Sequence, residues 1–110
     1  MKDRQSTLKQ WNIWDVKDKE LLNLIVGRKG GKTTITIMDK ILDHPHNKNQ
    51  LANKLKMDYN TVNHHIKIMH KHEYITKEQL DNSFYYHPSP KLFKSLKEYR
   101  IIKRYMENKK

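Results

Sequence analysis

Cysteine is absent from this sequence, which excludes disulfides and thiolate metal sites. Long apolar runs are absent too. No stretch approaches the length of a membrane span, and the first residues, MKDRQSTLKQW, lack a signal-peptide core, so a cytoplasmic protein with no membrane contact is expected. Acid is scarce: 12 Asp plus Glu stand against 23 Lys plus Arg, a formal charge of +11. Such an excess points to a polyanionic partner, nucleic acid or an anionic membrane, with a merely Lys-rich composition as the bland alternative. Apolar residues make up 35% of the 110 positions and charged residues 32%, enough for one domain with a modest core.

The stretch LLNLIVGRKGGKTT, residues 21–34, invites a comparison with phosphate-binding loops. A Walker A loop needs four residues between its first Gly and the Gly-Lys-Thr so that backbone N–H groups can wrap a phosphate. Here only Arg28, Lys29 and Gly30 lie between Gly27 and Gly31-Lys32-Thr33. The loop is one residue short, and no apolar run ending in Asp follows to hold magnesium. An enzyme is not expected, and no cofactor is implied.

Periodicity predicts the remaining organisation. Residues 1–16 read as a loosely ordered N-terminal segment in which Trp11 and Trp14, three apart, can dock together on a neighbour. Leu21, Leu22, Leu24 and Ile25 suit a short helix stopped at Gly27. Ile35, Met38, Ile41 and Leu42 stripe a second, capped by Thr33 or Thr34 and ended at Pro45. NKNQLANKLK (47–56) opens on an Asn cap. DYNTVNHHIKIMHKHEYI follows a tight corner at Lys56-Met57-Asp58, with Val62, His65, Ile66 and Met69 on one face. YITK and SFYYHP read as strands around a turn-prone KEQLDNS. SPKLFKSLKEYRIIKRYMENKK begins a helix at Ser-Pro. The fold class is therefore mainly α with a small β-hairpin, a winged helix-turn-helix with N- and C-terminal helices. Its domain is expected over 17–88, followed by an amphipathic helix over 89–110.

LANKLKMDYNTVNHHIKIM carries the chemistry. Ala52 is the small residue that lets two helices cross closely, while Leu51, Leu55, Val62 and Ile66 fill the wedge and Met57 plugs the corner. The second helix then turns Tyr59, Asn60, Asn63, His64 and Lys67 outward, with Thr61 near its start. Amides, hydroxyls, an imidazole and a cation can bond base edges and phosphates in a major groove; the bland alternative is a solvated face of an ordinary bundle.

That stretch resembles the ArsR-type winged helix-turn-helix regulators, particularly archaeal relatives with a Lys-Gly-Gly-Lys-Thr stretch before the first core helix. The likeness covers roughly residues 17–90. It implies a transcriptional regulator that binds palindromic double-stranded DNA as a homodimer through its terminal helices. It also implies that Asn63 and His64 face DNA and that His65 helps fix the fold. Without cysteine the family's thiolate metal sensing cannot operate here, and the last helix lacks histidine for the alternative metal site.

Six of the seven histidines lie between residues 44 and 72. His64 and His65 point about 100° apart on a helix, so a shared metal is not expected; DNA contact or solvation is, with protonation near the ordinary histidine pKa strengthening affinity for phosphate. Arg28, Lys29 and Lys32 precede a helix N-terminus, where they either clamp a backbone phosphate or form a flexible linker. Lys77 is a candidate minor-groove contact from the hairpin. Leu92, Leu96, Tyr99, Ile102 and Met106 form the apolar stripe of the tail helix and are expected at a dimer seam, with core packing or a membrane surface as the alternatives. The competing function is a winged helix that docks a protein within a transcription or chromatin assembly.

Overall fold

A computed structural model describes residues 12–108. After a 3-10 turn (Ile13–Asp15) come α1 (Lys19–Ile25), α2 (Gly31–Asp43), α3 (Lys48–Leu55) and α4 (Tyr59–Lys71). Strands β1 (Ile75–Leu80) and β2 (Ser83–Pro88) pair antiparallel, and α5 (Pro90–Lys94) and α6 (Leu96–Asn108) close the chain. This is the expected mainly helical winged helix-turn-helix with flanking terminal helices. Among the described residues no helix is long and apolar enough to cross a membrane.

Each helix buries the stripe that its periodicity marks. The inward set of α4 is Val62, His65, Ile66 and Met69, as expected from spacing. α3 packs on it through Leu51 and Ala52, with Leu55 and Met57 half-buried at the corner. On α3 and α4 the N-caps are those expected, Asn47 and Asp58. Asn47 and Gln50 form a reciprocal capping box on α3, and Asp58 accepts from the Asn60 N–H at the start of α4. Between the two helices Lys56 adopts φ 54°, the left-handed conformation in which a helix commonly stops, and the Met57 N–H returns to the Ala52 carbonyl at 3.0 Å.

The hairpin is stitched to the helical body. His46, just before α3, forms an isolated antiparallel bridge with Tyr86 of β2, and the Tyr86 N–H donates to the His46 carbonyl at 2.8 Å. Tyr74 and Ile75 are buried at the base of β1. The Tyr74 hydroxyl donates to Asp18 Oδ1 at 2.8 Å.

Three expectations are corrected. Strand β1 does not end at Lys77 with a loop beyond it; pairing continues to Leu80↔Ser83, and Asp81 at φ 57° closes a tight turn. α2 is not capped by Thr33 or Thr34. It begins at Gly31, with left-handed Gly30 before it, because Gly31 lies against the Ile25 carbonyl where any Cβ would clash. The tail is not one helix: it breaks at Ser95, whose hydroxyl donates to Asp18 Oδ2 at 2.6 Å. Before α1, the 3-10 turn leads to a buried Val16, and Trp14 is 83% exposed and docks on nothing described. Trp11 and the rest of 1–11 lie outside the described residues.

Candidate nucleic-acid interface

Because α4 commits Val62, His65, Ile66 and Met69 to the core, its opposite side is left to solvent. Tyr59, Asn60, Thr61, His64 and Lys67 are exposed there, Tyr59 to 44%. Asn63 sits on the flank nearest α3 and is half-buried. Its Oδ1 accepts a hydrogen bond from Lys48 Nζ at 2.6 Å. Burial, with Lys67 and Lys77 nearby, pushes the Lys48 ammonium below the ordinary lysine pKa. Among the described residues none of Lys48, Lys67 and Lys77 has a carboxylate partner.

The hairpin flanks this surface. On its face nearest α4, Lys77 is exposed and lays its ammonium 4.7 Å from the centroid of the Phe84 ring. A cleft of about 220 Å³ opens between the first turn of α3, Tyr59 and β2, lined by Asn47, Lys48, Asn49, Asn82, Ser83, Phe84 and Tyr86 as well. Its walls are amides, a cation and aromatic rings.

The glycine turn has a role that its sequence did not reveal. Lys29 and Lys32 are exposed, but Arg28 is turned inward. Arg28 Nη2 lies 3.1 Å from His65 Nδ1 and donates to Thr34 Oγ1 at 3.4 Å, and Thr34 Oγ1 lies 3.1 Å from the same ring nitrogen. An arginine can only donate, so Nδ1 accepts and His65 is the neutral Nε2–H tautomer. Burial first, then the Arg28 and His64 charges, push its pKa down to about 4. A Cβ on Gly30 would stand 3.1 Å from the His65 ring. Thus the turn latches onto the inner side of α4. Arg28 is held by the fold, while Lys29 and Lys32 stay exposed.

His46 is a second buried neutral imidazole. Its Nδ1–H donates to the His44 carbonyl at 2.7 Å and its Nε2 accepts from Lys54 Nζ at 3.0 Å. Desolvation lowers its pKa, opposed by the bond to His44 and reinforced by the charges of Lys54, His44 and Lys40. Among the described residues no three His, Cys, Asp or Glu side chains converge as metal ligands would.

Of the five residues expected at a dimer seam, Leu92, Tyr99, Ile102 and Met106 are buried in the chain's own core, and Leu96 is half-buried. The Tyr99 hydroxyl is bound to Asp39 Oδ1 at 2.7 Å and to the Ile35 carbonyl at 3.2 Å. Tyr99 and Met106 of this stripe therefore lie against α2 of the same chain. The apolar residues left partly open lie on another flank of α6, at Ile101 and Tyr105, where Glu98 caps the backbone N–H groups of Lys17 and Asp18 just past the exposed Trp14.

Sequence reasoning missed Lys48, Phe84 and Tyr86 as parts of this surface. Lys48 carries no periodic signal, since it reaches α4 from 15 residues upstream.

No protein-family model matches the chain, and no curated protein matches it in sequence. Solved structures do. NolR from Sinorhizobium fredii is similar with a TM-score of 0.58 at 16% identity, over 78% of this chain and 87% of that one. Reduced HlyU from Vibrio cholerae is similar with a TM-score of 0.55 at 12% identity, over 90% of this chain and 93% of that one. At such identities the likeness shows a shared fold.

Proposed function

We propose that this chain is a sequence-specific, double-stranded DNA-binding transcriptional regulator of the ArsR type, acting as a homodimer in the cytoplasm. One observation carries it: α4 follows a tight corner and presents an open amide, hydroxyl and cation surface, flanked by a lysine-bearing hairpin, and among the described residues Lys48, Lys67 and Lys77 have no carboxylate partner. Tyr59, Asn60, Thr61, Asn63, His64 and Lys67 meet base edges and phosphates in the major groove. Lys29 and Lys32 hold backbone phosphates, Lys77 reaches the minor groove from the hairpin, and Arg28 supports the two turn lysines indirectly by fixing the turn on α4. The winged-helix likeness to NolR and HlyU supports the architecture this reading needs, and the Lys-Gly-Gly-Lys-Thr stretch at 29–33 favours archaeal relatives.

The dimer contact uses what the subunit leaves open. Trp14, Ile101 and Tyr105 form that seam, in place of the stripe that α6 spends on its own core. Half-sites are then separated by about one helical turn, ~10 bp.

Selection of binding sites from random duplex DNA, followed by competition gel shift, tests the proposal. A recurring inverted repeat that outcompetes random duplex is the expected result. Weak binding with no preferred sequence favours the protein-docking alternative instead.

A further inference from the structure

The bond between Lys48 and Asn63 joins a residue of the candidate reading surface to one on the neighbouring helix. An ammonium has hydrogens to give and no lone pair to receive. The Asn63 oxygen must therefore be the atom turned toward Lys48, at 2.6 Å, and the Asn63 amide is fixed in one of its two orientations. Among the described residues the Nδ2 hydrogens have no hydrogen-bond partner within the chain. Unrestrained, an asparagine reads adenine with both ends of its amide, oxygen to the N6 amino group and nitrogen to N7. Here that oxygen already carries a cation, whose remaining N–H bonds would confront the N6 amino group of an approaching adenine. Two donors would face each other.

Guanine offers the opposite pattern, with O6 and N7 both accepting in the major groove. The Asn63 amide hydrogens and the Lys48 ammonium are both donors, side by side, and match that edge. Lys48 is held for this task. It is half-buried, its ammonium lies 5.9 Å from the Tyr86 ring centroid, and no carboxylate competes for it among the described residues.

We infer that Lys48 is a specificity-determining residue that orients the Asn63 amide and sets an ammonium donor beside its Nδ2, so that this pair selects guanine over adenine at one position of each half-site. The inference rests on the proposed reading of α4 as the base-contacting helix. Thymine, with one acceptor beside a methyl group, matches the pair less well.

Sites are selected from random duplex DNA with the wild-type chain, Lys48→Met and Lys48→Arg, each checked for an unchanged unfolding midpoint. The wild type should return a motif with one guanine per half-site favoured over adenine by on the order of tenfold, the discrimination of a good paired contact. Lys48→Met, which keeps the bulk and removes the donor, should lose that preference or move it to adenine while keeping the rest of the motif. Lys48→Arg, which keeps a donor, should retain guanine. A merely structural lysine would weaken all sites alike and leave the base preference unmoved. An identical motif from Lys48→Met overturns this inference alone. A wild-type pool with no motif overturns it together with the reading it rests on.

Discussion

Helices α4 and α6 look alike on paper: each is 13 residues long, each mixes apolar with polar and basic residues, and each buries one stripe. Their polar faces differ. The open side of α4 carries amides, hydroxyls and an imidazole among its cations, whereas that of α6 carries mostly Lys and Arg with two glutamates. Their apolar stripes do the same job, covering one core, yet only that of α4 was expected to do so. An amphipathic stripe reports that a helix is covered, without saying by which subunit. The polar face, which need not satisfy a core, holds the information about a partner.

Several experiments break or sharpen this contrast. The largest effect is expected at the stripe of α6. Ile102→Ala should destabilise the monomer by about 2–5 kcal/mol, because it leaves a cavity in a fully enclosed site. Denaturant unfolding at several protein concentrations checks this. A strong concentration dependence of the loss would return Ile102 to a subunit seam.

The inward side of α4 should respond to acid. With its pKa pushed to about 4 from the ordinary 6.5, His65 stays neutral in the folded chain while the unfolded chain takes up a proton. Stability from this group is therefore full above pH 6.5, falls as pH drops, and stops falling below about 4. His46 adds a loss of the same sign, its pKa also being lowered. Urea midpoints measured between neutral and mildly acidic pH should fall, and His65→Gln should flatten the curve without abolishing it.

The outward side of α4 should show salt-dependent loss instead. Lys67→Ala should weaken binding to every duplex and reduce the slope of log affinity against log salt by about 1, read by titration at several ionic strengths. Lys29→Ala and Lys32→Ala should each act in the same way. The smallest stability change is expected at Trp14→Ala, within about 0.5 kcal/mol, since the side chain is 83% exposed. Sedimentation should nonetheless show a weakened dimer.

Much of this was legible beforehand because it is local. Asn47, Asp58 and the 62/65/66/69 stripe announce α3, α4 and their corner through neighbours in sequence. What stayed hidden joins distant residues. Thr34 reads as a cap, but its hydroxyl is drawn inward by His65, 31 residues away. The continuous tail breaks because Ser95 bonds Asp18, 77 residues earlier. Glu78 through Leu80 fall in a stretch that looks turn-like, yet Tyr85, Phe84 and Ser83 stand opposite and extend the ladder. At the candidate interface α4's exposed residues could be named from periodicity, but the inward turn of Arg28 and the reach of Lys48 could not.

The bridge between His46 and Tyr86 has a mechanical consequence. A lone two-stranded ribbon is marginal in water and bends freely at its base. Sewn to the segment that leads into α3, this one has to move with the helices as a single bracket. Whatever approaches meets two jaws already set at a fixed opening, and ordering them makes little further demand on the free energy of association.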